Sequence, residues 1–114
     1  MPYLHITSNA DLTTEEQQLC LAASSKVLAE TLGKSTQYLM NAWTKAEMTL
    51  GESATPTAFV EIRGLRLPDD ACEQLSPKIC EAILSTAEIQ PERIFINIQD
   101  IAPKDWGWNG KTFG

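Results

Sequence analysis

Apolar and polar residues alternate from Tyr3 to Ser8, with Leu4 and Ile6 set against Tyr3, His5 and Thr7, which predicts a short strand. Asn9-Ala10-Asp11 supplies turn residues, and the pattern then becomes helical. Thr13 and Thr14 are N-cap candidates, and Glu16, three residues after Thr13, completes a capping-box pattern. Glu15 and Glu16 also suit the positive end of a helix dipole. Leu19, Ala22, Ala23, Val27, Leu28 and Leu32 recur at helical spacing, and Gly33 stands where a helix C-cap belongs.

A second alternating run covers Tyr38 to Lys45, with Tyr38, Met40, Ala42 and Thr44 on one face and Leu39 and Trp43 on the other. Leu50 to Thr57 is rich in Gly, Ser, Thr and Pro and reads as a loop. A third strand is predicted over Ala58 to Arg63. Pro68-Asp69-Asp70 opens a second helix, in which Cys72, Leu75, Ile79 and Ile83 keep a helical period. Pro77 interrupts that period, so the helix is expected either to start near Ser76 or to kink there. Gln90-Pro91-Glu92 is a turn, and Arg93 to Gln99 sets Ile94, Ile96 and Ile98 against Phe95 and Asn97 as a fourth strand.

The order is therefore strand–helix–strand, loop, strand–helix–strand. Tandem βαβ units of this kind give an α+β (α/β two-layer) fold, a four-stranded sheet with two helices on one face. The free face of the sheet also carries apolar groups, and in a short chain the simplest cover is another copy of the chain. A symmetric oligomer is expected.

Composition narrows the function. The 114 residues make one domain, 1–114, with 43% hydrophobic and 21% charged residues, an ordinary globular balance. Nine Lys and Arg against fifteen Asp and Glu leave a net charge of −6, the wrong sign for a nucleic-acid partner. The longest apolar run, Leu19 to Ala23, is far short of the roughly 20 residues of a membrane span. No secretory signal is legible either, so the expected location is cytoplasmic. Cys20, Cys72 and Cys80 form an odd set without Cys-x-x-Cys spacing and read as reduced, mostly buried thiols. With His5 the single histidine, no ordinary metal-ligand set is in view, and no metal is expected. Phosphate-binding, dinucleotide-binding and serine-nucleophile motifs are missing from the chain.

A few residues remain to be explained. Pro2 follows Met1, and a small second residue generally permits removal of the first. The exposed group would be a secondary amine on a rigid ring. An α-amino group has an unperturbed pKa of about 7.7–8.0, and burial or a nearby cation lowers it, leaving a base at neutral pH. Lys34, after Gly33, either complements the helix dipole or binds a substrate carboxylate. Asn97 lies mid-strand, where asparagine is disfavoured and a buried amide needs partners. Trp106, Trp108 and Phe113 either pack the tail or line a ligand site.

The start Met-Pro, the segment Gly33-Lys34-Ser35-Thr36-Gln37-Tyr38 and the stretch Pro91-Glu92-Arg93-Ile94-Phe95-Ile96-Asn97 match one pattern. The ending Gly107-Trp108-Asn109-Gly110-Lys111-Thr112-Phe113 matches it too. Over essentially its whole length the chain resembles the macrophage migration inhibitory factor family of the tautomerase superfamily. The resemblance implies a homotrimeric barrel with active sites at subunit interfaces and cofactor-independent keto–enol tautomerisation of phenylpyruvate-like 2-oxo acids. It implies Pro2 as the general base, Lys34 as the carboxylate-binding lysine, Leu65 as a pocket residue and Asn97 as a contribution from the neighbouring subunit. Trp106, Trp108 and Phe113 fall at pocket-wall positions, and Arg63 is a cation able to assist Lys34.

Two departures from the family pattern stand out. Phe95 replaces a tyrosine of the animal cytokine, removing a hydroxyl, and Trp106 replaces a smaller aliphatic residue and narrows the pocket mouth. The cytokine's Cys-x-x-Cys stretch reads Thr57-Ala58-Phe59-Val60 here, so thiol–disulfide chemistry of that kind is not expected. These departures motivate the alternative of a trimeric, cytokine-like interaction protein with a vestigial pocket, binding a receptor after unconventional secretion.

Overall fold

The computed structural model describes residues 2–114. Its order is β1 (Tyr3–Ser8), α1 (Thr14–Leu32), β2 (Met40–Lys45), β3 (Ala58–Gly64), α2 (Ala71–Ala87) and β4 (Ile94–Asp100), closed by a small hairpin of β5 (Gly107–Trp108) and β6 (Lys111–Thr112). The main sheet runs β2-β1-β3-β4; β1 is parallel to β2, antiparallel to β3, and β3 is parallel to β4. Both strand–helix–strand units are thus present, and the antiparallel β1–β3 pair joins them. Among the described residues no helix is long and apolar enough to cross a membrane.

Period-two patterning sets the two faces. Leu4, Ile6, Val60 and Ile62 are fully buried and pack with Leu28, Leu75, Ile79 and Ile83 of the helices in one core. The neighbouring positions point away: Met40 is 67% exposed, Phe59 40% and Phe95 52%, so the second face is bare within one subunit. Each large side chain buried on the helical face stabilises by about 1.5–3 kcal/mol, and the bare face forgoes that gain.

Helix α1 starts as its sequence dictates. The Thr13 hydroxyl accepts from the Glu16 amide at 3.1 Å and the Glu16 carboxylate accepts from the Thr13 amide at 2.9 Å. That second bond holds the Glu16 carboxyl below the usual carboxylate range. At the other end Gly33 has φ 65°, the left-handed conformation that stops the helix. The buried stripe departs from expectation: Cys20, Ser24, Ser25, Leu28 and Ala29 are buried, whereas Leu19 and Ala22 are exposed. The helix is rotated so that small serines sit under its neighbours, with the Ser25 hydroxyl accepting a hydrogen bond from the Asn41 side-chain Nδ2 at 2.8 Å.

Four further expectations are corrected. Helix α2 begins at Ala71, not near Ser76, and runs unbroken through Pro77. An interior proline costs about 3 kcal/mol, but Leu75, Ile79 and Ile83 are all fully buried along that helix, and their burial outweighs it. The Ser76 hydroxyl also donates to the Cys72 carbonyl at 2.6 Å in the same turn. Cys72 itself is exposed and off the buried stripe; of the three free thiols Cys20 is buried and Cys80 half-buried. Strand β2 starts at Met40, because Thr36–Tyr38 winds into a 3-10 turn capped by Ser35, whose hydroxyl accepts from the Gln37 amide. The β5–β6 hairpin was not foreseen.

Candidate active site

Pro2 stands at the head of β1 and is buried, with its carbonyl accepting from the Met40 amide at 3.1 Å. Tyr3 pairs with Met40 on one side and Arg63 on the other, so the start of the chain is wedged between the ends of β2 and β3. A cleft of about 470 Å³ opens beside it. Its lining is Pro2, Tyr3, Tyr38, Met40, Arg63, Ile101, Asp105, Trp106, Gly107 and Trp108.

The C-cap of α1 positions Lys34. Its amide donates to the Ala29 carbonyl at 2.9 Å, and its ammonium reaches across to donate to the Leu65 carbonyl at 3.3 Å. The side chain therefore leaves α1 for the end of β3, and the dipole-complementing role is not the one its hydrogen bond serves. Leu65 is buried and supplies a carbonyl, not a cleft wall. Its surroundings are fixed by the Gly64 carbonyl, which accepts from the Ile101 amide at 2.8 Å, and by the Asp100 carboxylate, which accepts from the Leu67 amide at 3.1 Å. A side chain at Gly64 would meet the Leu67 methyl at 2.9 Å, so Leu67 would have to shift to admit it.

The aromatic wall comes from the tail. Asn109 and Gly110 both have positive φ, 53° and 77°, the two-residue turn that an Asn-Gly pair favours, and this turn builds the β5–β6 hairpin. The hairpin carries Trp108 to Tyr38, edge-to-face with centroids 6.3 Å apart and an interplanar angle of 83°. Phe113 stacks behind Trp108 at 6.3 Å and 16°. Trp106 and Trp108 thus line the cleft, while Phe113 supports the wall from outside it.

Phe95 and Asn97 do not join this cleft within one subunit. Both lie on β4 and are exposed, paired in register with Phe59 and Glu61. In that register Asp100, opposite Gly64, marks the level of Pro2; Phe95 lies five residues away, about 16 Å along an extended strand. The expected burial of the Asn97 amide is not met inside the subunit, where its side chain is solvent-facing.

Several lining residues escaped the sequence reading: Tyr3, Tyr38, Met40, Ile101 and Asp105. Tyr3 and Met40 follow from strand register, which the sequence leaves open. Tyr38 could have been found from the Asn109-Gly110 pair, since that turn folds the tail onto it.

The cleft beside the buried Pro2, walled by Tyr38, Trp106 and Trp108, is the candidate site on this two-layer α/β subunit, and Lys34 lies outside its lining. The family described as macrophage migration inhibitory factor (MIF) matches residues 1–114, and the chain belongs to that family. The chain is 28% identical to macrophage migration inhibitory factor of Meriones unguiculatus over 115 residues, 99% of each sequence. Among solved structures, the macrophage migration inhibitory factor-like protein of Entamoeba histolytica superposes with a TM-score of 0.93 at 27% identity, covering 98% of both chains. The macrophage migration inhibitory factor homologue of Prochlorococcus marinus is 32% identical, with a TM-score of 0.88 over 98% of this chain and 99% of that one.

Proposed function

We propose that this protein is a cofactor-independent keto–enol tautomerase of phenylpyruvate-like 2-oxo acids, working as a homotrimer with Pro2 as general base. The observation that carries the reading is the placement of Pro2, buried, held by Met40 and facing a cleft walled by Tyr38, Trp106 and Trp108. Met1 lies outside the described residues; its removal is part of the proposal, because an amide nitrogen at Pro2 is not a base.

Burial at Pro2 favours the neutral amine. The neutral nitrogen takes a proton from the carbon α to the ketone, the carbon–hydrogen bond breaks, and the electron pair moves onto the carbonyl oxygen. A proton returned to that oxygen completes the enol. Nothing is oxidised or reduced, so no cofactor is called for. Lys34 holds the carboxylate of the 2-oxo acid by a charge-assisted hydrogen bond, and the aromatic wall holds the substrate's ring.

The trimer answers two features at once. It covers the bare face of the sheet, where Met40, Phe59 and Phe95 stand exposed. It also brings Phe95 and Asn97 of one subunit to the cleft of the next, which their position on β4 denies them within their own. Phe95 offers this site a ring without a hydroxyl, so Asn97 is the polar group of the pair.

Pro2→Gly is the test. General-base catalysis contributes about 10²–10⁴-fold, and the variant should lose phenylpyruvate tautomerisation by that order while remaining trimeric. Unchanged turnover would remove Pro2 from the mechanism. Receptor binding that survives the substitution in a protein without turnover would favour the interaction-protein reading.

A further inference from the structure

The connection from β2 to β3, residues 46–57, carries no helix or strand of its own, so its backbone groups must find partners elsewhere. Two side chains supply them. From the end of β1, Asn9 Nδ2 donates to the Met48 carbonyl at 3.3 Å and the Ala54 carbonyl at 2.8 Å, and Asn9 Oδ1 accepts from the Thr57 amide at 2.8 Å. Arg93, at the start of β4, does more. Its Nε is shared between the Thr55 and Pro56 carbonyls at 3.2 and 3.1 Å. Nη1 donates to the Leu50 carbonyl at 3.4 Å, and Nη2 to the Ser53 and Thr55 carbonyls, each at 3.0 Å.

Among the described residues no carboxylate pairs with this guanidinium. Its hydrogen bonds all converge on one segment, 50–56, and its own carbonyl accepts from the Thr57 hydroxyl at 2.7 Å in return. A planar fork of five donors can span carbonyls spread along a loop; the compact ammonium of a lysine cannot.

The consequence falls on β4. That strand is at the edge of the sheet and is laddered only to β3 within the subunit. Its far end is fixed by the Ile101 amide on the Gly64 carbonyl and by the Asp100 carboxylate on the Leu67 amide. Its near end, Ile94, follows directly on Arg93, and Phe95 and Asn97 come next along the strand.

We propose that Arg93 is a positioning residue: by locking segment 50–56 onto the head of β4 it sets where Phe95 and Asn97 stand, and through them it acts on the cleft of the neighbouring subunit. This rests on the tautomerase reading, in which those two residues serve the next cleft. Asn9 holds the same connection from β1 and has no bond to β4, so it separates loosening of the loop from displacement of the strand.

The experiment measures kcat and KM for phenylpyruvate in Arg93→Ala, in Asn9→Ala, and in Phe95→Ala/Asn97→Ala with and without Arg93→Ala, each checked as a folded trimer. Arg93→Ala should lower kcat/KM by about 10- to 100-fold, the scale of a misplacement of about 1 Å. Asn9→Ala should stay within about two-fold of wild type. In the Phe95→Ala/Asn97→Ala background Arg93→Ala should cost about two-fold or less, because the groups it positions are gone. Equal losses in Arg93→Ala and Asn9→Ala, or the same loss with and without Phe95 and Asn97, would overturn the proposal. If Arg93→Ala does not fold or assemble, Thr57→Val, which removes only the hydroxyl bond to the Arg93 carbonyl, takes its place in the same cycle with a smaller expected loss. If the wild type does not turn over phenylpyruvate, the tautomerase reading fails, and hydrogen exchange decides the positioning alone. Faster exchange over 94–97 as well as 50–56 on loss of the clamp upholds it, and acceleration confined to 50–56 refutes it.

Discussion

The ammonium of Lys34 donates to the backbone carbonyl of Leu65 at 3.3 Å, tying the end of α1 to the end of β3 beside the buried Pro2. One carbonyl leaves two of the three ammonium protons for a ligand. Lys34→Gln keeps a donor for Leu65 but removes the charge. Its KM for 2-oxo acids should rise by about 10- to 100-fold with a smaller change in kcat, since binding of the carboxylate is common to ground and transition states. Steady-state kinetics check this, and an unchanged KM would show that the carboxylate is held elsewhere.

Pro77 is carried inside α2 at a local cost that the core covers. Alanine there restores a donor for the Glu73 carbonyl and removes the ring clash, a gain of about 3 kcal/mol in a helix interior. Part of it, about 1 kcal/mol, is returned because the unfolded chain gains freedom. Pro77→Ala should therefore stabilise the protein by about 1–2 kcal/mol in denaturant unfolding. A destabilised variant would mean that the proline is matched to its helix in a way the hydrogen bonds do not reveal.

Burial pushes the Cys20 thiol above its ordinary value of 9.0. Above that value the unfolded chain loses the proton while the folded chain retains it. The folded state then binds more protons, and stability must fall as pH rises. The Cys20 contribution is complete below the free-thiol value and is lost through the alkaline window above it. Unfolding midpoints across that window should fall more steeply in the wild type than in Cys20→Ala; parallel slopes would mean that Cys20 ionises alike in both states.

Where a feature depends on neighbours in sequence, it could be read directly. The Thr13–Glu16 capping box, the left-handed Gly33 and the alternation of Leu4 and Ile6 are local devices, and each stands as expected. Features that depend on packing were not legible in this way. Pro77 argues for a helix start, yet three buried side chains around it settle the matter from the tertiary side. The rotation of α1, with Leu19 outward and Ser24 inward, follows from the surface that α1 meets and not from its own apolar period. At the site, Pro2 and Lys34 could be named through family resemblance. Tyr3 needed the strand register before it could be placed opposite Arg63. The Asn109-Gly110 pair is itself a local hairpin signal in the tail.

The central claim is that a free amino nitrogen at Pro2 does the chemistry. It is tested most directly by following enol–keto conversion of phenylpyruvate with two preparations, one with Met1 removed and one retaining it, each confirmed by intact mass. Rapid conversion by the processed chain alone is the predicted result. No conversion from a confirmed Pro2 amino terminus, or equal conversion by both preparations, would contradict the account.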